Sequence, residues 1–220
     1  MQYFRRECRP VAFEHDTVIY NGSVWYIEQD QYPEYPRMRE GMIRTNDLYL
    51  INRCGRYGDY SDSDVDLHAV LQELENTDPT VLNEISYDDL RDVTTHRKLF
   101  AIAAEHGFFV SPVYALVHSS ITFSLYAFGD QWDSGQSGWI YAYPDAVKEA
   151  GGMDAMKQQA KDEIDELNMY LHGEIYNILR SPIVEIHDDR IYVDPSIDCE
   201  LSDIYGLEAA RERLKELTNG

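Results

Sequence analysis

The segment VIYNGSVWYI, Val18–Ile27, decides the fold class. Its centre, Asn21-Gly22, suits a two-residue hairpin turn, because both central positions of that turn need positive φ and Asn and Gly tolerate it. Val18 and Tyr20 precede the turn, and Val24 and Tyr26 follow it, with the period of two that a half-buried strand shows. The segment therefore predicts two antiparallel strands. Working outward, Asp30–Arg44 is rich in Pro, Tyr and Arg and reads as a loop, Leu48–Ile51 as a short strand, and Arg53–Asp62, with Gly55 and Gly58, as a second loop.

Helical signals then take over. Ser63 is placed to cap a helix reaching about Glu75, with Val65, Val70, Leu71 and Leu74 on one face. Pro79 ends it. Ser86 caps the next expected helix, which has Asp88 and Asp89 in its first turn, where the helix dipole favours negative charge. Leu90, Val93, Leu99, Ile102 and Ala103 carry its apolar face to Gly107. A β-rich centre follows at Phe108–His118, Thr122–Phe128 and Trp139–Tyr143. Pro144 starts a short helix. Met153, Met156, Ala160, Ile164, Leu167 and Leu171 fall at spacings of three and four, a core stripe for a longer helix. Ile175–Ile186 and Arg190–Val193 read as an antiparallel pair, and Leu207–Leu217 as a last amphipathic helix. This order predicts an α+β fold, a mainly antiparallel central sheet flanked by amphipathic helices. It suggests an N-terminal hairpin and loop region over 1–62 and an α+β core over 63–220, with a single domain over 1–220 as the alternative.

Charge narrows the function. The chain has 220 residues, 40 acids and 19 Lys and Arg, for a net charge of −21. Direct binding to nucleic acid needs a basic surface, and an anionic membrane repels an acidic one, so both are disfavoured. Residues 57–90 hold ten acids and no Lys or Arg, and residues 158–220 hold 15 acids against six bases. The surplus suits either a solvated face or a surface that meets a basic partner. No run approaches the roughly 20 apolar residues of a membrane span, and no apolar leader follows MQYFRRECRP. Cys8, Cys54 and Cys199 are odd in number and lack a CxxC, which points to a reducing cytoplasm. The DYSDSDVD segment around Asp59–Asp66 lacks the Gly and Glu of a calcium loop. The histidines show no metal-binding spacing, so neither metal nor cofactor is expected.

The densest chemistry lies in HSSITFSLYAFGDQWDSGQSGWIY, His118–Tyr141. A polar ligand would meet His118, Ser119, Asp133, Ser134 and Gln136 beside the Trp132 ring. Hydrolysis would need a nucleophile, base and orienting acid within hydrogen-bond reach, and the spacing of His118, Ser119 and Asp133 is generic. The plain alternative is a self-bonded turn joining two strands.

This motif resembles a family of uncharacterised proteins carried by bacterial phages and mobile elements, which shows a Tyr-x-x-His-Ser segment followed by Trp-Asp-Ser-Gly-Gln-x-Gly-x-Ile-Tyr. His118 and Ser119 match the first. Trp132, Asp133, Ser134, Gly135, Gln136, Gly138, Ile140 and Tyr141 match the second. Asn46–Asp59, EIDELNMYLHGEIYNIL and DCELSDIYGLEAA extend the similarity. Asn52-Arg53-Cys54-Gly55 stands where the family often has a His, and Ser120 where it often has Gly. The resemblance implies a mobile element in a bacterial cytoplasm and assigns no chemistry.

Two functions are expected on this basis. One is a non-enzymatic anti-defence binder, anti-CRISPR or anti-restriction, whose acidic surface mimics DNA and occupies the basic channel of a host nucleic-acid-binding protein. Duplex DNA presents about one negative charge per 1.7 Å of axis. Its partner-facing residues would be Asp59, Asp62, Asp64, Asp66, Glu73, Glu75, Asp162, Glu163, Asp165 and Glu166. The other is a small-molecule or nucleotide-binding protein, or a hydrolase, centred on His118 and Asp133–Gln136. Oligomeric state is left open.

Overall fold

Asn21 and Gly22 adopt φ of 50° and 71°, and the chain reverses there as their chemistry demands. The strands on either side are β2 (Thr17–Tyr20) and β3 (Ser23–Gln29), with Tyr20 opposite Ser23 and Thr17 opposite Tyr26. The computed structural model describes residues 9–10, 16–37, 48–52, 64–130, 132–187 and 190–219. Its remaining elements are β1 (Arg9–Pro10), β4 (Tyr49–Asn52), α1 (Asp64–Thr77), α2 (Val93–Glu105), β5 (Phe109–Val117), β6 (Ile121–Ser124), β7 (Ser134–Ala142), α3 (Pro144–Glu149), α4 (Met153–His172), β8 (Ile175–His187), β9 (Arg190–Val193), β10 (Asp198–Tyr205) and α5 (Leu207–Thr218). Two 3-10 turns, Pro79–Asn83 and Tyr87–Arg91, lie between α1 and α2. Every strand pairing among the described residues is antiparallel, and with the helices this makes the fold α+β.

The strands form two sheets in two compact units. One unit is Met1–Glu34 with Met169–Gly220, and the other is Tyr35–Asn168. These bounds differ from the division read between residues 62 and 63. In the first unit the strand order is β1-β9-β8-β3-β2, with β10 also on β8. Ile27 of β3 faces Ile178 of β8, which also faces Leu201 of β10. Strand alternation sends Trp25 and Ile27 to one side, where Ile178 and Leu214 of α5 pack, and Val24 and Tyr26 to the other, with Ile191 and Val193.

In the second unit the order is β4-β7-β5-β6. Tyr49, Ile51, Trp139, Tyr141 and Tyr143 share the face that meets Leu67, Val70, Leu71 and Leu74 of α1 and Leu99, Phe100 and Ala103 of α2. Tyr49 stacks on Tyr141 at 5.0 Å between ring centroids. Phe100 lies against Trp139 at 5.1 Å and Tyr141 at 5.3 Å. Ring pairs at these distances add about 0.5–1.5 kcal/mol each beyond burial. The alternate positions Leu50, Ile140 and Ala142 are buried too.

Helix α4 is amphipathic as expected, with Met156, Ala160, Ile164 and Leu167 buried, while Met153 is 45% exposed. Its Asn168 closes an exposed sheet edge. The side-chain amide donates to Phe123 O at 2.8 Å and accepts from Phe123 N at 2.7 Å. Phe123 is on edge strand β6, so Asn168 substitutes for a neighbouring backbone and blunts the edge. Asn168→Ala is expected to cost about 2 kcal/mol in urea unfolding, because two backbone groups lose their partners together. A midpoint equal to that of the parent protein would refute this role.

Three element boundaries differ from expectation. The helix expected from Ser86 to Gly107 is a 3-10 turn followed by α2, because Asp92 caps a new start by accepting from Thr94 N at 2.9 Å. Strand β6 ends at Ser124. β7 begins at Ser134, so most of the glycine-rich motif is strand and not loop.

Candidate functional site

The motif turn is held by Asp130. Its Oδ1 accepts from the N–H groups of Trp132 at 2.8 Å and Asp133 at 3.2 Å, and its carbonyl accepts from Ser134 Oγ. The two backbone donors, with a smaller contribution from the nearby His118, hold the Asp130 carboxyl below the usual carboxylate range. Val117 N donates to Asp133 O at 2.8 Å, and Leu116 pairs with Ser134. His118, Ser119, Trp132, Asp133 and Ser134 therefore gather where β5 ends and β7 begins. All but the half-buried Ser134 are exposed, and Trp132 is 94% exposed.

Gln136 departs from this group. It pairs across from Tyr114, and one extra residue, Ser137, interrupts the register before Gly138 pairs with Val113. The Gln136 amide donates to Gly138 O at 3.3 Å. Among the described residues no hydrogen bond joins the His118 ring to Ser119 or Asp133, so the base, hydroxyl and acid are not linked as nucleophilic catalysis requires. Also among them, no group of three His, Cys, Asp or Glu is arranged to hold a metal ion, and no helix is long and apolar enough to cross a membrane.

The acidic residues behave differently from one another. Asp59 and Asp62 lie outside the described residues, and Asp64 and Asp66 lie in the first turn of α1 without described side chains. Glu73 is exposed, while Glu75 is half-buried and accepts from Tyr87 Oη at 2.9 Å. On α4, Asp162 accepts from Gln158 at 2.7 Å, Asp165 from Lys161 at 3.1 Å, and Glu166 is half-buried. Glu163 does not join a solvent-facing set. Its carboxylate is bound by Arg37, and the two side chains are only 14% and 5% exposed.

Further acids, outside the partner-facing set expected from the sequence, are fixed by hydrogen bonds between α1 and α2. Asp78 accepts from Thr80 Oγ1 at 2.7 Å and Thr80 N at 2.9 Å. Asp89 accepts from Ser86 N at 3.0 Å and Ser86 Oγ at 2.7 Å. With Asp92 on Thr94, these bonds hold all three carboxyls below their usual range. Each favours a fixed direction for a full negative charge at neutral pH.

No family model, curated protein or solved structure matches the chain.

The lowered carboxyls have a consequence for acid stability. Asp78, Asp89, Asp92 and Asp130 bind protons less readily folded than unfolded, so their contribution is fully present above about pH 4. It is lost as pH falls through their lower folded values. Relief of the −21 self-repulsion acts in the opposite direction, so the comparison needed is with a capping variant. Unfolding midpoints measured from pH 7 to pH 2 should fall less steeply in Asp89→Asn/Asp92→Asn than in the parent protein. Parallel curves would remove these caps as the cause.

Proposed function

We propose that the protein is an anti-defence binder that presents a DNA-like array of carboxylates to the basic channel of a host nucleic-acid-handling protein, such as a restriction enzyme or a CRISPR effector. The observation behind this is the segment from α1 to the α2 cap. Residues 64–92 carry nine acids and a single base, Arg91. Glu73, Glu84, Asp88, Asp89 and Asp92 are exposed, and Asp89 and Asp92 are locked in place by backbone donors. Rigid, ionised groups lose little entropy on meeting a cationic groove, and long-range attraction speeds the encounter. Lys98 partly offsets this array through Glu84, at 3.1 Å. The α4 carboxylates contribute less, because Lys161 and Arg37 already bind two of them. The resemblance to phage and mobile-element proteins agrees with a bacterial cytoplasmic setting.

The test is competition with DNA on a purified restriction endonuclease and on a purified CRISPR effector, across a salt series. Inhibition of at least one is expected, with affinity falling steeply from about 50 to 500 mM salt as counterion-linked contacts weaken. Glu73→Lys/Asp88→Lys changes two exposed acids that cap nothing, and it should weaken binding at least tenfold at low salt. Affinity indifferent to salt and to this variant would overturn the reading.

A further inference from the structure

A cavity of about 210 Å³ opens between α2 and the β4–β7 pair. It is lined by Ile51, His96, Arg97, Gln136, Ser137, Gly138 and Trp139. Two features bear on what it could bind. None of its described lining residues is acidic, in a chain where acids outnumber Lys and Arg by 40 to 19. The exposed Arg97 lines its wall, and among the described residues no carboxylate pairs with it. Several other described cations are already engaged: Lys98 by Glu84, Lys148 by Asp145, Lys161 by Asp165, Arg180 by Asp198, Arg211 by Asp16.

We propose that this cavity binds a small planar anion, an aromatic or heteroaromatic carboxylate. The volume corresponds to roughly seven water molecules and is below the roughly 300 Å³ at which drug-sized pockets begin. A single-ring carboxylate therefore fits and a nucleotide does not. The chemistry of each wall matches a part of such a ligand. Trp139 and Ile51 give apolar surface for a ring. Gly138 contributes backbone to the lining. The Arg97 fork can take a carboxylate in two parallel hydrogen bonds; inorganic phosphate can use the same fork but has no ring to lie on Trp139 and Ile51, and a neutral amide has no charge to meet the guanidinium. Gln136 supplies an amide that both donates and accepts. His96 is 3% exposed and fixed by a 2.7 Å contact from Nε2 to Leu90 O, so this wall is rigid before a ligand arrives. At about 0.15 M salt the Debye length is near 8 Å, so the protein's overall negative charge does not govern a site lined by Arg97. This proposal is independent of the acidic surface, which uses other residues.

The probes are benzoate, nicotinate and salicylate, with benzamide and inorganic phosphate as controls. Titrations of the full chain are read by calorimetry and by the indole N–H signal of Trp139 in NMR spectra. At least one carboxylate should saturate with a dissociation constant of about 0.1–1 mM, a strength in keeping with so few atoms. Benzamide and phosphate should bind at least tenfold more weakly. Arg97→Gln should weaken the carboxylate at least tenfold, and Arg97→Lys, which keeps the charge without the fork, should fall between. Arg91→Gln, outside the cavity, should change nothing. Unfolding midpoints of both Arg97 variants confirm that the fold survives. The assignment is overturned if none of the three carboxylates saturates below about 10 mM, if phosphate binds as well as they do, or if binding persists in Arg97→Gln.

Discussion

Gly138→Ala is expected to abolish cooperative folding of the Tyr35–Asn168 unit. A Cβ at this position would lie 1.8 Å from Ile51 O, 2.8 Å from Ile51 C and 2.9 Å from Asn52 Cα. All three are backbone atoms of β4, so no side-chain rotation relieves the clash. Gly138 pairs with Asn52 on one side and Val113 on the other, so β7 is flanked by strands on both sides. Moving it away from β4 would open the Tyr49–Tyr141 stack and the Phe100 contacts that close the core over α2. Loss of several such contacts falls in the rare class of substitutions that cost more than about 4 kcal/mol, comparable with the whole stability of many domains. Loss of near-ultraviolet circular dichroism and of a sharp urea transition would report it. Gly135→Ala is the control. Nothing lies within 4 Å of its added Cβ, and its midpoint should shift by less than about 1 kcal/mol. A Gly138→Ala protein with the parent midpoint would show that the close approach to Ile51 is not needed.

The pair of glycines also shows what the sequence discloses. Both stand in a polar, glycine-rich segment that reads as one turn, yet Gly135 is spacious and Gly138 is pressed against a neighbouring strand. That difference is set by β4, more than 80 residues earlier in the chain, and no local pattern records it. Where local chemistry is sufficient, the reading holds. Asn21-Gly22 fixes its hairpin by φ alone, and the spacing of Met156, Ala160, Ile164 and Leu167 fixes the buried face of α4. Where partners are distant, it fails. β10 reads DCELSDIY, mostly polar, and its pairing with β8 slips twice, between Cys199 and Leu201 and between Leu201 and Ile204, which erases the alternation that marks a strand. The grouping of residues 1–34 with 169–220 depends on β3 pairing with β8, again without a local signal. At the motif, His118, Ser119, Trp132, Asp133 and Ser134 do converge as their proximity suggests. Gln136 lines the cavity beside α2 because Ser137 adds a residue to β7, a bulge that spacing cannot reveal.

Arg37→Met should produce the second large loss, about 3–5 kcal/mol, because it strands a charge away from water. The Arg37 side chain is 5% exposed. Its Nη1 donates to Glu163, and its Nη2 donates to Leu48 O at 2.9 Å. One guanidinium thus ties the residues after Glu34 to the start of β4 and to α4. Removing it leaves the Glu163 carboxylate, 14% exposed, to bear its desolvation with less compensation. Arg37→Lys keeps the charge, but a single ammonium cannot reproduce both arms of the fork, so an intermediate loss is expected. The decisive comparison is Arg37→Met/Glu163→Leu. A buried ion pair gains little over apolar residues of similar volume while a broken pair is costly. The double variant should therefore recover part of what the single one loses, giving a coupling energy of about 1–3 kcal/mol in urea unfolding. Glu163→Gln, tested for nuclease inhibition, should leave binding unchanged, because this carboxylate already has its cation. If Arg37→Met unfolds within about 0.5 kcal/mol of the parent, the pair is solvated, and Glu163 returns to the set of charges open to a partner.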